Sequence, residues 1–169
     1  MLREFDAYLI GGGFPKALFY EDLAEKQLYV KSVLEDIFNK DIKRRVKIKN
    51  VEAFNIVRNY VINNFGATLS ISNICEDLNK SGISITRPTI TKYIQALVDA
   101  KIINECVRFD MKSRRSLKNE KKYYLADLGI YFSMNTDNRI NYGPVLENVV
   151  YQYARSQGYM VSVGRIGKL

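Results

Sequence analysis

The chain has 169 residues, with 26 Lys and Arg against 18 Asp and Glu, a formal net charge of +8. It holds no histidine, no tryptophan and two cysteines, Cys75 and Cys106, which excludes histidine-dependent triads, histidine general bases and a structural zinc site of its own. At 47% hydrophobic residues the composition is that of a globular chain, long enough to bury a core without staples.

In chain order, residues 2–10 are expected to form a helix that stops at Gly11-Gly12-Gly13 before Phe14-Pro15, a strong loop signal. From 21 to about 45 the pattern is helical, with Leu23, Leu28, Val30, Val33, Leu34, Ile37 and Phe38 at steps of three and four. Asn50 is placed to cap the next helix, whose stripe is Val51, Phe54, Val57, Val61 and Phe65. Ser72 is the expected cap of a helix over 73–80, closed by Ser81-Gly82. Thr86-Arg87-Pro88 opens another, with the proline in the first turn and Ile90, Ile94, Leu97 and Val98 buried. The period then changes to two, predicting a strand over 102–109, a polar hairpin tip over 110–119 and a return strand over 121–126.

The positive charge is concentrated. Between 40 and 49, Lys40, Lys43, Arg44, Arg45, Lys47 and Lys49 face Asp41 alone, six cations against one acid, leaving +5. Between 110 and 122, Lys112, Arg114, Arg115, Lys118, Lys121 and Lys122 face Asp110 and Glu120, six against two, leaving +4. Three helices followed by a hairpin with a cationic tip is the order of a winged helix-turn-helix. In such an arrangement the last helix enters the major groove and the hairpin displaces counterions from phosphates. Thr89, Lys92, Tyr93 and Gln95 are the expected groove-facing residues, and Lys112, Arg114, Arg115, Lys118, Lys121 and Lys122 the expected wing contacts to duplex DNA. Winged helices also dock proteins, and the apolar pattern between Leu23 and Phe38 favours that alternative, a lid or oligomerisation module without DNA contact.

Beyond the hairpin, Gly143-Pro144 precedes an expected helix over 145–156 with Leu146, Val149, Val150 and Tyr153 on one face, and 159–164 has the pattern of a strand. No stretch reaches about eighteen uninterrupted apolar residues, and the acidic start Met1-Leu2-Arg3-Glu4-Phe5-Asp6 is unlike a signal peptide. With two cysteines in no pairing pattern, a cytoplasmic protein without a membrane partner is expected.

Gly12-Gly13-Phe14-Pro15, Lys122-Tyr123-Tyr124-Leu125-Ala126-Asp127-Leu128-Gly129 and Gly143-Pro144-Val145-Leu146-Glu147-Asn148-Val149-Val150-Tyr151, in that order and followed by Gly158-Tyr159, resemble the C-terminal half of a prokaryotic AAA+-type P-loop ATPase family. The resemblance implies a parent of three parts: an ATPase core using ATP and Mg²⁺, a helical segment with a winged helix, and a restriction-endonuclease-like α/β domain. The expected fold is α+β, mainly α, with a helical lid-like segment over 1–50, a winged helix over 51–128 and the start of a truncated α/β domain over 129–169. This sequence has no Gly-x-x-x-x-Gly-Lys-Ser/Thr, and Gly11-Gly12-Gly13-Phe14-Pro15-Lys16 has the wrong spacing for one. Glu147 matches a helix glutamate that helps hold a metal in nuclease-like folds, but one carboxylate does not make a Mg²⁺ site. The chain is therefore expected to be a non-catalytic fragment with no cofactor of its own, whose partners are duplex DNA, the parent's ATPase core and other protein subunits.

Overall fold

The computed structural model describes residues 2–110 and 115–164, with side chains described for 3–110 and 121–164. Lys112 and Arg114 lie outside the described residues, and the side chains of Arg115 and Lys118 do too. The architecture is α+β and mainly helical, with one two-stranded antiparallel sheet.

Helix α1 (Leu2–Gly11) ends where Gly12 takes φ +74°, a conformation open to glycine. A 3₁₀ turn (Pro15–Phe19) leads to α2 (Leu23–Ile37), whose N-cap Asp22 accepts from the amides of Ala24 and Glu25 at 2.7 and 3.1 Å. This helix buries Val30 and Leu34, whereas Leu28, counted in the sequence stripe, faces solvent. It runs through a π-helical turn (Phe38–Ile42) into α3 (Lys43–Arg45). Asn50 caps α4 (Val51–Asn63), accepting from Ala53 N at 3.0 Å.

The next cap differs from the expectation. Ser70, not Ser72, accepts from Asn73 N, so α5 (Ile71–Lys80) begins two residues early. Ile71 can serve as the first helical residue because its half-buried side chain packs on the main core. After the Gly82 turn comes α6 (Arg87–Asp99), which buries Ile90, Tyr93, Ile94, Ala96 and Leu97.

The hairpin is longer than the alternation suggests. β1 (Ile103–Asp110) pairs with β2 (Arg115–Leu125) from Ile103↔Leu125 to Val107↔Lys121, then from Arg108↔Leu117 to Asp110↔Arg115. Between Val107 and Arg108 the register shifts, and residues 118–120 have no partner in it, a wide irregularity of the β-bulge kind. A polar composition over 115–119 concealed strand, because main-chain pairing along a two-stranded ribbon does not depend on apolar alternation. On the far side of β2, the α4–α5 connection adds a single bridge, Thr68↔Lys122, supported by Gly66 N to Tyr123 O (2.9 Å) and Leu69 N to Lys121 O (3.1 Å).

Helix α7 (Gly129–Met134) follows the hairpin, and α8 (Tyr142–Ser156) follows a loop. The face predicted for α8 is not the buried one. Val145, Asn148 and Tyr151 are buried, while Leu146, Val150 and Tyr153 are exposed. The expected strand over 159–164 contracts to one parallel bridge, Arg108↔Val163, with Phe109 N to Val163 O at 2.9 Å and Val163 N to Val107 O at 3.2 Å. One main core runs from Leu9 to Val145. A small second cluster, Cys106, Tyr124 and Tyr151, joins α8 to the sheet.

Candidate nucleic-acid interface

An α-helix with a buried stripe at 90, 93, 94 and 97 presents its other face around 87, 91, 92 and 95. Arg87, Thr91, Lys92 and Gln95 are exposed accordingly. Tyr93 belongs to the stripe and is 3% exposed, packed edge-on against Phe54 at 5.3 Å, so it faces the core and not a groove. Its place three residues after Ile90 is the signal that marks it as a core position, whereas Arg87 and Thr91 fall at steps of four in line with the exposed Gln95. Thr89 is half-buried, its hydroxyl 3.0 Å from that of Thr86. Gln95 donates to Asp99 at 2.8 Å, leaving its carbonyl oxygen outward-capable.

Between α6 and the hairpin lies an open cleft of about 760 Å³, with Thr91, Ile94 and Gln95 on one wall, Glu105, Lys121 and Tyr123 on the other, and Ser70 and Ser72 at the start of α5. The lysine on its hairpin wall is not bare, since Lys121 Nζ is 2.8 Å from Glu105 Oε2. On the opposite face of β2, Lys122 Nζ is 2.7 Å from Glu147 Oε1 of α8. Both lysines were expected as wing cations, and both are held by a carboxylate. Sequence distance hid this, because Glu105 comes from the opposite strand and Glu147 from α8. Burial raises the Tyr123 hydroxyl well above its ordinary pKa, with the Glu105 charge adding to it.

The segment 40–49 is also partly neutralised. Lys40 pairs with Asp36 at 2.7 Å, and Arg45 forks onto Asp41. Arg45 also reaches the Asp99 carbonyl at 3.4 Å, which places this cluster at the C-terminal end of α6. Thirteen helical residues span about 20 Å, so these cations and the first turn of α6 are at opposite ends of the helix.

The three quoted motifs meet one another in space. Asp127 accepts from Gly13 N and Gly129 N, both at 2.7 Å, clamping the glycine loop to the start of α7. A phosphate would need those same donors. Burial raises the Asp127 carboxyl above its ordinary value, the two N–H bonds pulling the other way. Asn148, 1% exposed, accepts from Leu125 N at 2.8 Å and donates to Leu125 O at 3.1 Å, closing the end of β2. Beside it Glu147 takes Lys122 and the Tyr124 hydroxyl. Burial pushes this carboxyl up, but those bonds outweigh it and leave it below its ordinary value. Among the described residues no group of three or more His, Cys, Asp or Glu is placed to hold a metal ion, and no helix is long and apolar enough to cross a membrane.

Residues 2–140 match a family model described as a domain of unknown function (DUF8612). The chain is similar to an uncharacterized protein of Methanocaldococcus jannaschii, 29% identical over 160 residues, which cover 95% of this chain and 35% of that protein. It is also similar to an uncharacterized protein of Haemophilus influenzae, 26% identical over 166 residues, covering 98% of this chain and 40% of that one. The chain thus spans well under half the length of these curated relatives. No solved structure matches it.

Proposed function

We propose that this chain, which belongs to the family described as a domain of unknown function (DUF8612), is a winged-helix module that binds duplex DNA through α6 and the β1–β2 hairpin. The order α4, short bridge, α5, α6, hairpin, with the bridge joined to the return strand, supports the winged-helix reading. The observation that carries the function is the exposed face of α6: Arg87, Thr91, Lys92 and Gln95 form a cationic and hydrogen-bonding surface beside an open cleft, with Asp99 at the far end. Arg and Gln are side chains that read base edges, and Lys neutralises phosphate. The resemblance to AAA+-type P-loop ATPases adds the setting, in which this module is a non-catalytic part of a longer ATP- and Mg²⁺-dependent protein.

Fluorescence anisotropy with a short duplex at about 50 mM salt tests this, since a binding driven by phosphate contacts weakens steeply as salt rises. The double variant R87E/K92E is expected to lose at least about tenfold in affinity, while Y93F, a core change, leaves it intact. Absence of any duplex binding by the unaltered chain at that salt sinks the proposal.

A protein-docking role has its own support in exposed apolar side chains. Leu18 is 71% and Phe19 86% exposed near α2, and Leu146, Val150 and Tyr153 form a row on α8. That role predicts self-association or capture of the parent's ATPase core with no dependence on Lys92.

A further inference from the structure

The hairpin wall of the cleft carries a lysine that its own fold has already occupied. Lys121 Nζ lies 2.8 Å from Glu105 Oε2, with the lysine side chain 32% and the glutamate 28% exposed, so both remain reachable from solvent. They sit side by side because Glu105↔Tyr123 and Val107↔Lys121 are alternate pairs of one ladder, with Cys106↔Lys122 between them, and the diagonal neighbour on the same face is within reach of long side chains. The pair faces the cleft opposite Thr91 and Gln95 of α6. An anion entering there meets a carboxylate as well as an ammonium, and a like charge at an interface repels.

We propose that Glu105 is an affinity-limiting residue, a mask that withholds Lys121 from the phosphates of a bound duplex. This rests on the DNA-binding proposal and adds to it the residue that sets how tightly the site holds a polyanion. Removing the charge of Glu105 while keeping its shape releases the Lys121 ammonium and deletes a repulsion in one step. Glu105 also accepts from the buried Tyr123 hydroxyl, a bond the glutamine oxygen can keep, and a partly exposed ion pair contributes little to folding, so the structural cost is small.

The experiment is duplex binding as a function of salt for the unaltered chain, Glu105→Gln, and the double variant E105Q/K121Q, each checked for native circular dichroism. E105Q is expected to bind severalfold more tightly, with a plot of log affinity against log salt steeper by about one unit, the signature of one additional phosphate contact. The double variant, with both charges gone, is expected to return to the unaltered slope. Equal affinity and slope for the unaltered chain and E105Q overturn the mask while leaving DNA binding standing. A double variant with a shallower slope than the unaltered chain also overturns it, because Lys121 would then already touch phosphate. If neither the unaltered chain nor E105Q binds duplex, both proposals fall together. Binding by E105Q alone overturns both, because a chain that holds no duplex unaltered has no affinity for Glu105 to limit.

Discussion

Single residues carry the joints of this molecule. Gly12 sits at φ +74° with its α-carbon against the start of α7, so a methyl group there would approach Gly129 Cα to 2.9 Å and collide with the Asp127 carboxylate. Neither the backbone angle nor the neighbour can yield cheaply, since Asp127 is itself held by two N–H donors. Gly12→Ala is therefore expected to destabilise the fold by about 3 kcal/mol, measured as the shift in urea midpoint. An unchanged midpoint would mean that the glycine loop is not clamped. Asn148 is a joint of a second kind. Its amide uses both of its hydrogen-bonding ends on one backbone residue, Leu125, which is why a polar side chain is 1% exposed without penalty.

Among the elements, the helices follow from local chemistry where a cap is unambiguous, and less so where two candidates adjoin. Asp22 and Asn50 each stand alone before an apolar run and each caps. Ser70 and Ser72 flank Ile71, and only the fold decides between them, through the bridge Thr68↔Lys122 that fixes where the chain turns into α5. The expected consequence is asymmetric. Ser70→Ala costs about 1 kcal/mol, whereas Ser72→Ala changes stability by no more than about 0.5 kcal/mol. Chemical denaturation of the two variants compares them directly, and the reverse order would return the cap to Ser72. Helix α8 illustrates a different limit. Its apolar periodicity selects Leu146, Val149, Val150 and Tyr153, but hydrogen bonds that join Asn148 and Gln152 to the Leu125 backbone, with Tyr151 stacked on Tyr124 at 4.1 Å, turn another face inward.

Across the whole molecule, packing joins regions that composition separates. The main core includes Leu9 of α1, Val30 and Leu34 of α2, Phe54 of α4, Leu97 of α6, Ile130 of α7 and Val145 of α8. Shared burial of this kind makes unfolding cooperative. A single thermal transition is expected, at one midpoint by both far-ultraviolet dichroism and tyrosine fluorescence. Leu9→Ala is expected to lower that midpoint as a whole by removing about 2–5 kcal/mol. Two resolved transitions would show that the N-terminal helices fold apart from the rest.

The sequence by itself determined the order of helices and hairpin, the α+β class and the concentration of charge, because periodicity, caps and glycine turns act over a few residues. It also brought out the three motifs, without saying that Gly13 and Asp127, or Glu147 and Lys122, would touch. Tertiary structure alone decided which charges are available. Lys121 and Lys122 count as wing cations in any linear sum, yet Glu105 and Glu147 hold them, and Tyr93 is drawn from the flank of α6 into the core by Phe54. Electrostatic pairing and burial depend on distance in space, which for these residues the separation along the chain does not report.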